Sequence, residues 1–266
     1  MIIDIYNQLI KKRNLTALYV LSAIVITYFA SRFPDFENLI GIEGARISSV
    51  VSFGALNGML LGPFWGVIAS FTAIMGHTLV RGGGSPDTFH LLTPFFVAMS
   101  SAVAGLCITK REKAAMAIFG VLILLWYITP LGRTVYYYPW FHVITLGAFL
   151  VFNYKLKDRK ENLFKFIFLL LAALMAILAD HLAGSISAAI LFDLPPQMFV
   201  SVITIYPIER MTLALAAASI MYLLIISLQN TLMESDTFHE NIQDAKKDDI
   251  LNYVNEVKDM LEKDKK

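Results

Sequence analysis

Apolar runs long enough to cross a bilayer recur along most of the chain, separated by short polar or charged segments. Judged against the roughly 20 residues a helix needs to span the hydrocarbon core, the runs are 15–33, 47–62, 63–80, 91–109, 114–129, 139–154, 163–190 and 208–232. They predict an all-α, polytopic transmembrane helical bundle over residues 1–232, with about eight spans, or six core spans plus two. Residues 47–62 and 63–80 meet at Gly62-Pro63 with no charged loop between them, so they read either as two crossings or as one short re-entrant hairpin. In both cases the chain returns to the same side.

Inside the second and third runs, small residues recur at every fourth position: Gly54, Gly58, Gly62, Gly66 and Ser70. In water each of these glycines would cost a helix roughly 0.5–1 kcal/mol relative to alanine, with no side chain to pack in return. In hydrocarbon a small face lets two helix backbones approach closely. Gly54, Gly58, Gly62 and Gly66 are therefore expected to pack helices together.

Composition supports a bilayer setting. The chain is 57% apolar and 16% charged, against about 25% charged for soluble domains. Its mean hydropathy is +0.62. The net charge of +1 gives no sign of a nucleic-acid partner, but residues 233–266 hold ten of the 21 acidic and six of the 22 basic residues. The membrane part is thus basic and the tail acidic. Within 233–266, the apolar positions Ile250, Leu251, Val254, Val257 and Leu261 recur at helical spacing, which predicts a short amphipathic cytoplasmic helix over 244–263.

Basic loops fix the expected orientation. Lys11-Lys12-Arg13, Lys110-Arg111-Glu112-Lys113 and the 155–165 run with Lys155, Lys157, Arg159, Lys160 and Lys165 all fall on one side. By the positive-inside rule that side is cytoplasmic. Loops 34–46, 81–90, 130–138 and 191–207 then face outward, and a multi-pass cell-membrane protein with both termini cytoplasmic is expected. The apolar run after Arg13 lacks a small-residue cleavage site, so it is expected to stay as the first helix.

Charged residues within a span cost a few kcal/mol on insertion scales, so each requires a partner or a role. His77 and Arg81 close the third run, Asp180 and His181 lie within the seventh, and Glu209 and Arg210 open the eighth. Asn57 sits on the glycine-bearing second run. With the orientation above, the six ionisable residues share one depth near the outer side. This is the arrangement of an outward-open polar pocket, and together with Asn57 they form the candidate solute site. Asp180 also falls on a small-residue stripe of Ala172, Ala176, Gly184 and Ala188 that is expected to face the bundle interior. A structural ion pair of Asp180 with Arg81 or Arg210 is the alternative. Tyr136, Tyr137, Tyr138, Trp140 and Phe141, beside Arg133, read either as an interfacial belt or as a lid.

Several classes of chemistry are not expected. Cys107 is the only cysteine, which excludes a disulfide framework or thiolate metal cluster within one chain. An adjacent Asp-His pair points its side chains about 100° apart on a helix, a poor start for a metal site. No metal or cofactor is expected. Gly82-Gly83-Gly84-Ser85-Pro86 lacks the Gly-Lys-Ser/Thr signature of a phosphate-binding loop, and no hydrolase or metalloprotease motif occurs. The chain is not expected to be an enzyme.

The segment Phe53-Gly54-Ala55-Leu56-Asn57-Gly58-Met59-Leu60-Leu61-Gly62-Pro63-Phe64-Trp65-Gly66-Val67-Ile68 resembles the glycine-rich hairpin of substrate-binding S components of energy-coupling factor (ECF) transporters. Ile205-Tyr206-Pro207-Ile208-Glu209-Arg210, followed by Ala214, Ala216, Ala217 and Ala218, is similar to the start of their last helix. The resemblance covers residues 46–110 and 170–232. The family usually has six spans, and its coupling-subunit contact is only loosely echoed by Ala23, Thr27 and Ser31. The resemblance implies a membrane subunit that captures a micronutrient from outside. Import would then be driven by a transmembrane coupling subunit and paired ATPases. The alternatives are a stand-alone proton-coupled secondary transporter, with Asp180 and His181 as the relay, and a non-transporting scaffold whose acidic tail recruits cytosolic proteins.

Overall fold

A computed structural model describes residues 13–32, 36–37, 46–47, 50–81, 88–157, 159 and 161–227. The amphipathic segment expected at 244–263 and the glycine turn at 82–86 lie outside the described residues. The chain divides into two units, 1–222 and 223–266, and the bundle is the first of them. Of the second, the described residues are the last turn of the final helix.

The bundle is helical, as the apolar runs require. Its helices are α1 (Arg13–Ala30), α2 (Val50–Arg81), α3 (Thr88–Ile108), α4 (Glu112–Ile128), α5 (Pro130–Thr134), α6 (Trp140–Lys155), α7 (Asn162–Leu191), α8 (Pro196–Val202) and α9 (Tyr206–Ser227). Four stretches are long and apolar enough to cross a bilayer: Val50–Val80, Thr88–Ile108, Asn162–Leu191 and Tyr206–Ser227. Helices α1, α4 and α6 have 18, 17 and 16 residues and sit at the lower limit for a crossing. Their outer faces carry exposed Leu21, Ile26, Phe29, Leu124, Ile128, Ile144 and Val151. So much exposed apolar surface is disfavoured in water and matched to lipid.

Two expectations are corrected in the segment before α2. The stretch 34–46 was expected to be a loop, yet β1 (Phe36–Glu37) and β2 (Arg46–Ile47) pair antiparallel, with Phe36 opposite Ile47 and Glu37 opposite Arg46. Ile47 therefore belongs to a two-residue strand, and the helix begins at Val50 rather than at residue 47.

Helix α2 does not run straight. Gly62 has φ 78° and ψ −179°, a conformation open to glycine and costly for any residue with a Cβ, and Pro63 follows it. Asn57 Nδ2 donates to Ser70 Oγ at 2.9 Å. Thirteen residues apart on a straight helix, these groups would be separated by about 20 Å. The chain therefore doubles back at Gly62-Pro63 into a hairpin with arms 50–61 and 63–81. A Cβ on Gly66 would lie 2.7 Å from the Asn57 carbonyl oxygen and 2.8 Å from the Gly58 Cα, so the two arms touch backbone to backbone.

The rest of the stripe faces α3. A Cβ on Gly54 would meet Val97, and one on Gly58 would lie 2.2 Å from the Ser101 carbonyl oxygen. At the hairpin tip, a Cβ on Gly105 would lie 2.3 Å from the Pro63 nitrogen. The first arm thus runs parallel to α3, advancing about four residues per contact on both helices. Buried hydroxyls and one amide lock this assembly. Asn57 Nδ2 also donates to Thr27 Oγ1 on α1 at 2.9 Å, Ser70 Oγ bonds Ser101 Oγ at 2.6 Å, and Ser101 Oγ is 2.7 Å from the Gly54 carbonyl oxygen.

Asn57→Ala removes both amide bonds and leaves buried hydroxyls short of a partner. A fall in stability of about 1–3 kcal/mol is expected, measured by unfolding of the purified protein in detergent.

Contacts sort the loops into two ends. Lys157 Nζ lies 2.7 Å from Glu112 Oε1, bringing the 110–113 and 155–161 segments together. At the other end, Tyr206 Oη donates to the Tyr138 carbonyl at 2.8 Å, and Trp140 Nε1 donates to the Ile203 carbonyl at 3.3 Å.

Candidate functional site

A cavity of about 310 Å³ opens near the end that holds Tyr138 and Tyr206. Five elements wall it. The start of α2 contributes Val50 and Val51, α3 contributes Phe89, Thr93, Phe96 and Val97, and α8 contributes Phe199. Asp180, His181, Gly184, Ser185 and Ala188 come from α7, and Arg210 from α9. The α7 residues recur at helical spacing, so one face of that helix lines the cavity. Gly184 keeps the wall thin there, since a Cβ on it would meet the Phe96 ring at 3.6 Å. The volume sits at the lower end of the range for small-molecule sites.

The polar wall is built around a loose ion pair. Arg210 Nη1 lies 4.0 Å from Asp180 Oδ2, with the two side chains 16% and 10% exposed. Beyond that pair, no hydrogen bond is made by the Arg210 guanidinium or accepted by the Asp180 carboxylate among the described residues, and Arg210 Nε is buried without a partner. Two charges held largely out of water repay their desolvation only when geometry is close and the remaining lone pairs and protons are filled. Here neither condition is met.

His181 is fixed by its surroundings. Its Nε2 is 3.1 Å from Tyr138 Oη, which also lies 3.2 Å from Ser185 Oγ. Its ring packs against both His142 (5.5 Å, 11°) and Tyr206 (4.8 Å, 27°), which are themselves 5.6 Å apart. His142 in turn stacks on Phe119 at 5.9 Å. His142 is wholly buried, and neither ring nitrogen makes a well-formed hydrogen bond, the Leu178 backbone being its polar neighbour. Tyr138→Phe strips His181 and Ser185 of their common partner. The expected loss is about 1–2 kcal/mol, read from the unfolding midpoint in detergent.

The structure brings together three of the seven expected site residues: Asp180, His181 and Arg210. Two others lie elsewhere in the bundle. Asn57 does not line the cavity and ties α1 to both arms of the hairpin, while His77 Nδ1 bonds Ser31 Oγ, just past the end of α1, at 2.6 Å. Depth alone had grouped them with the site, and they lie on the side of the bundle that faces α1. Glu209 is half-buried and outside the cavity wall. The Arg81 side chain lies outside the described residues. Thr27 bonds Asn57 and Ser31 bonds His77, so two of the three small residues on or just after α1 face the hairpin.

Sequence reasoning missed Phe89, Phe96, Phe199, Ser185 and His142. Apolar residues carry no signal of their own within an apolar helix. His142 did carry one, since an imidazole within a span is costly without a role. Tyr138 was read as part of a belt or lid. It is 2% exposed and braces His181, whereas Tyr136, Tyr137 and Trp140 are exposed. Among the described residues, no group of three or more His, Cys, Asp or Glu side chains is placed to hold a metal ion.

Comparison with known proteins relates the chain to an archaeal sequence. It is 28% identical over 226 residues to an uncharacterized protein of the archaeon Methanocaldococcus jannaschii, covering 81% of this chain and 72% of that one. No protein-family model matches the sequence. No solved structure matches it either.

Proposed function

We propose that this chain is the substrate-binding subunit of a micronutrient importer, taking a small polar solute from outside the cell for ATP-driven uptake by partner subunits. The observation that carries this reading is the cavity wall, where Arg210 and Asp180 face one another at 4.0 Å with their hydrogen-bonding capacity unfilled. A solute with both charges fills that gap, and the low-dielectric surroundings strengthen each contact. The cavity lies at the end away from Lys157 and Glu112, hence the outer end if the basic loops are cytoplasmic. About eight passes, counting the hairpin as two, put both termini in the cytoplasm.

The glycine hairpin that resembles an ECF S component supports the same reading. Its packing builds a rigid body that could dock on a coupling subunit as a unit. The chain carries no nucleotide-binding loop, so on this reading the ATP is hydrolysed by a partner subunit.

Reconstitution in liposomes tests the proposal. Uptake is expected only when the chain is combined with co-purified coupling and ATPase subunits and ATP is supplied. Uptake by the isolated chain, driven by a proton gradient, would overturn it in favour of a secondary carrier.

A further inference from the structure

Beside its charged pair and His181, the cavity presents three phenylalanines among otherwise small and aliphatic lining residues. Phe89 and Phe96 lie seven residues apart on α3, two turns along one face, with ring centroids 5.6 Å apart. Phe199 enters from α8 and is held in place by Trp126 (5.3 Å) and Tyr138 (5.1 Å). The third phenylalanine is therefore set before any solute arrives.

We infer that the solute is a single-ring aromatic zwitterion, with its carboxylate on Arg210, its ammonium on Asp180 and its ring among Phe89, Phe96 and Phe199. This rests on the reading of the cavity as a solute site. Four features select the class. A simple anion would satisfy Arg210 but leave Asp180 unpaired beside a like charge, and a simple cation would do the reverse. At 4.0 Å, the two protein charges are close enough to meet the two ends of one compact head group. Three phenylalanine rings favour a ring over an alkyl chain, because edge and offset contacts add to the area buried. The volume of about 310 Å³ lies at the lower end of the range for small-molecule sites and suits one ring with a short head group.

The test is binding of tritiated phenylalanine to the full-length purified chain, by scintillation proximity, with three truncated competitors. Alanine keeps the head and lacks the ring, 3-phenylpropionate lacks the ammonium, and phenethylamine lacks the carboxylate. Phenylalanine is expected to compete at least tenfold better than each. Phe199→Ala and, separately, Phe96→Leu are expected to weaken phenylalanine about tenfold and leave alanine unchanged. Alanine competing as well as phenylalanine would overturn the ring assignment and leave the solute site standing. Equal competition by 3-phenylpropionate or phenethylamine would overturn the zwitterion in the same way. Absence of binding by all four compounds would overturn this inference. The proposed importer falls separately, if no solute of any class binds.

Discussion

Gly58→Leu is expected to abolish the folded bundle. A Cβ at this position would lie 2.2 Å from the Ser101 carbonyl oxygen and 2.9 Å from the Ala104 Cβ, and backbone on one side cannot move aside as a flexible side chain would. Overpacking a core typically costs 1–3 kcal/mol. A leucine here must also separate the first arm from α3, which strains the bond from Ser101 Oγ to the Gly54 carbonyl and the chain of hydroxyls behind it. We expect a loss above about 4 kcal/mol, enough to consume most of a marginal stability. The check is yield of monodisperse protein after detergent extraction. Gly120→Leu is the control, because a Cβ on Gly120 meets nothing within 4 Å, and its yield should match the wild type.

The second large effect concerns Arg210 and Asp180. Removing one partner of a largely buried pair leaves the other charge uncompensated, a change that costs about 3–5 kcal/mol when the pair is tight. At 4.0 Å, with both side chains slightly exposed, Arg210→Gln is expected to fall near the lower end, at about 3 kcal/mol. Asp180→Asn should cost less, because an exposed edge of Arg210 still reaches cavity water. Joining the two changes removes both charges and should restore stability to within about 1 kcal/mol of wild type, as replacement of buried pairs often does. Solute binding should not return with it. A pair kept for structure alone would show the reverse: singles and double alike in binding, differing only in stability. A denaturant titration of all four proteins, with and without solute, separates these cases.

Much of the bundle was legible because the signals were backbone requirements. Glycine at every fourth position needs a close neighbour, and Gly62-Pro63 without a charged loop needs a break, so packing and reversal could both be read. What the stripe could not say is which neighbour each glycine meets. Gly54 and Gly58 turn to α3 while Gly66 turns to its own hairpin, because the fold back at Gly62 rotates the second arm.

The site was half legible for a related reason. Charge and span boundaries give depth in a membrane, and Asp180, His181 and Arg210, expected at one depth, line one cavity. Azimuth around the bundle depends on packing between helices distant in sequence. Asn57 and His77 consequently fell on the α1 side, bonding Thr27 and Ser31. Phe199 joined the cavity from a seven-residue helix whose apolar sequence gave no hint of it.

The measurement that bears most directly on the solute site is thermal stability of the purified chain across a panel of vitamins, amino acids, nucleobases and divalent metals. A ligand bound only by the native state raises apparent stability by RT ln(1 + [L]/Kd), about 2.7 kcal/mol at a hundredfold excess over Kd. The predicted result is a clear upward shift with one class of compound, absent in both Asp180→Asn and Arg210→Gln. A panel that leaves the wild type unmoved, with the double variant clearly less stable than wild type, would contradict the account and mark the pair as structural.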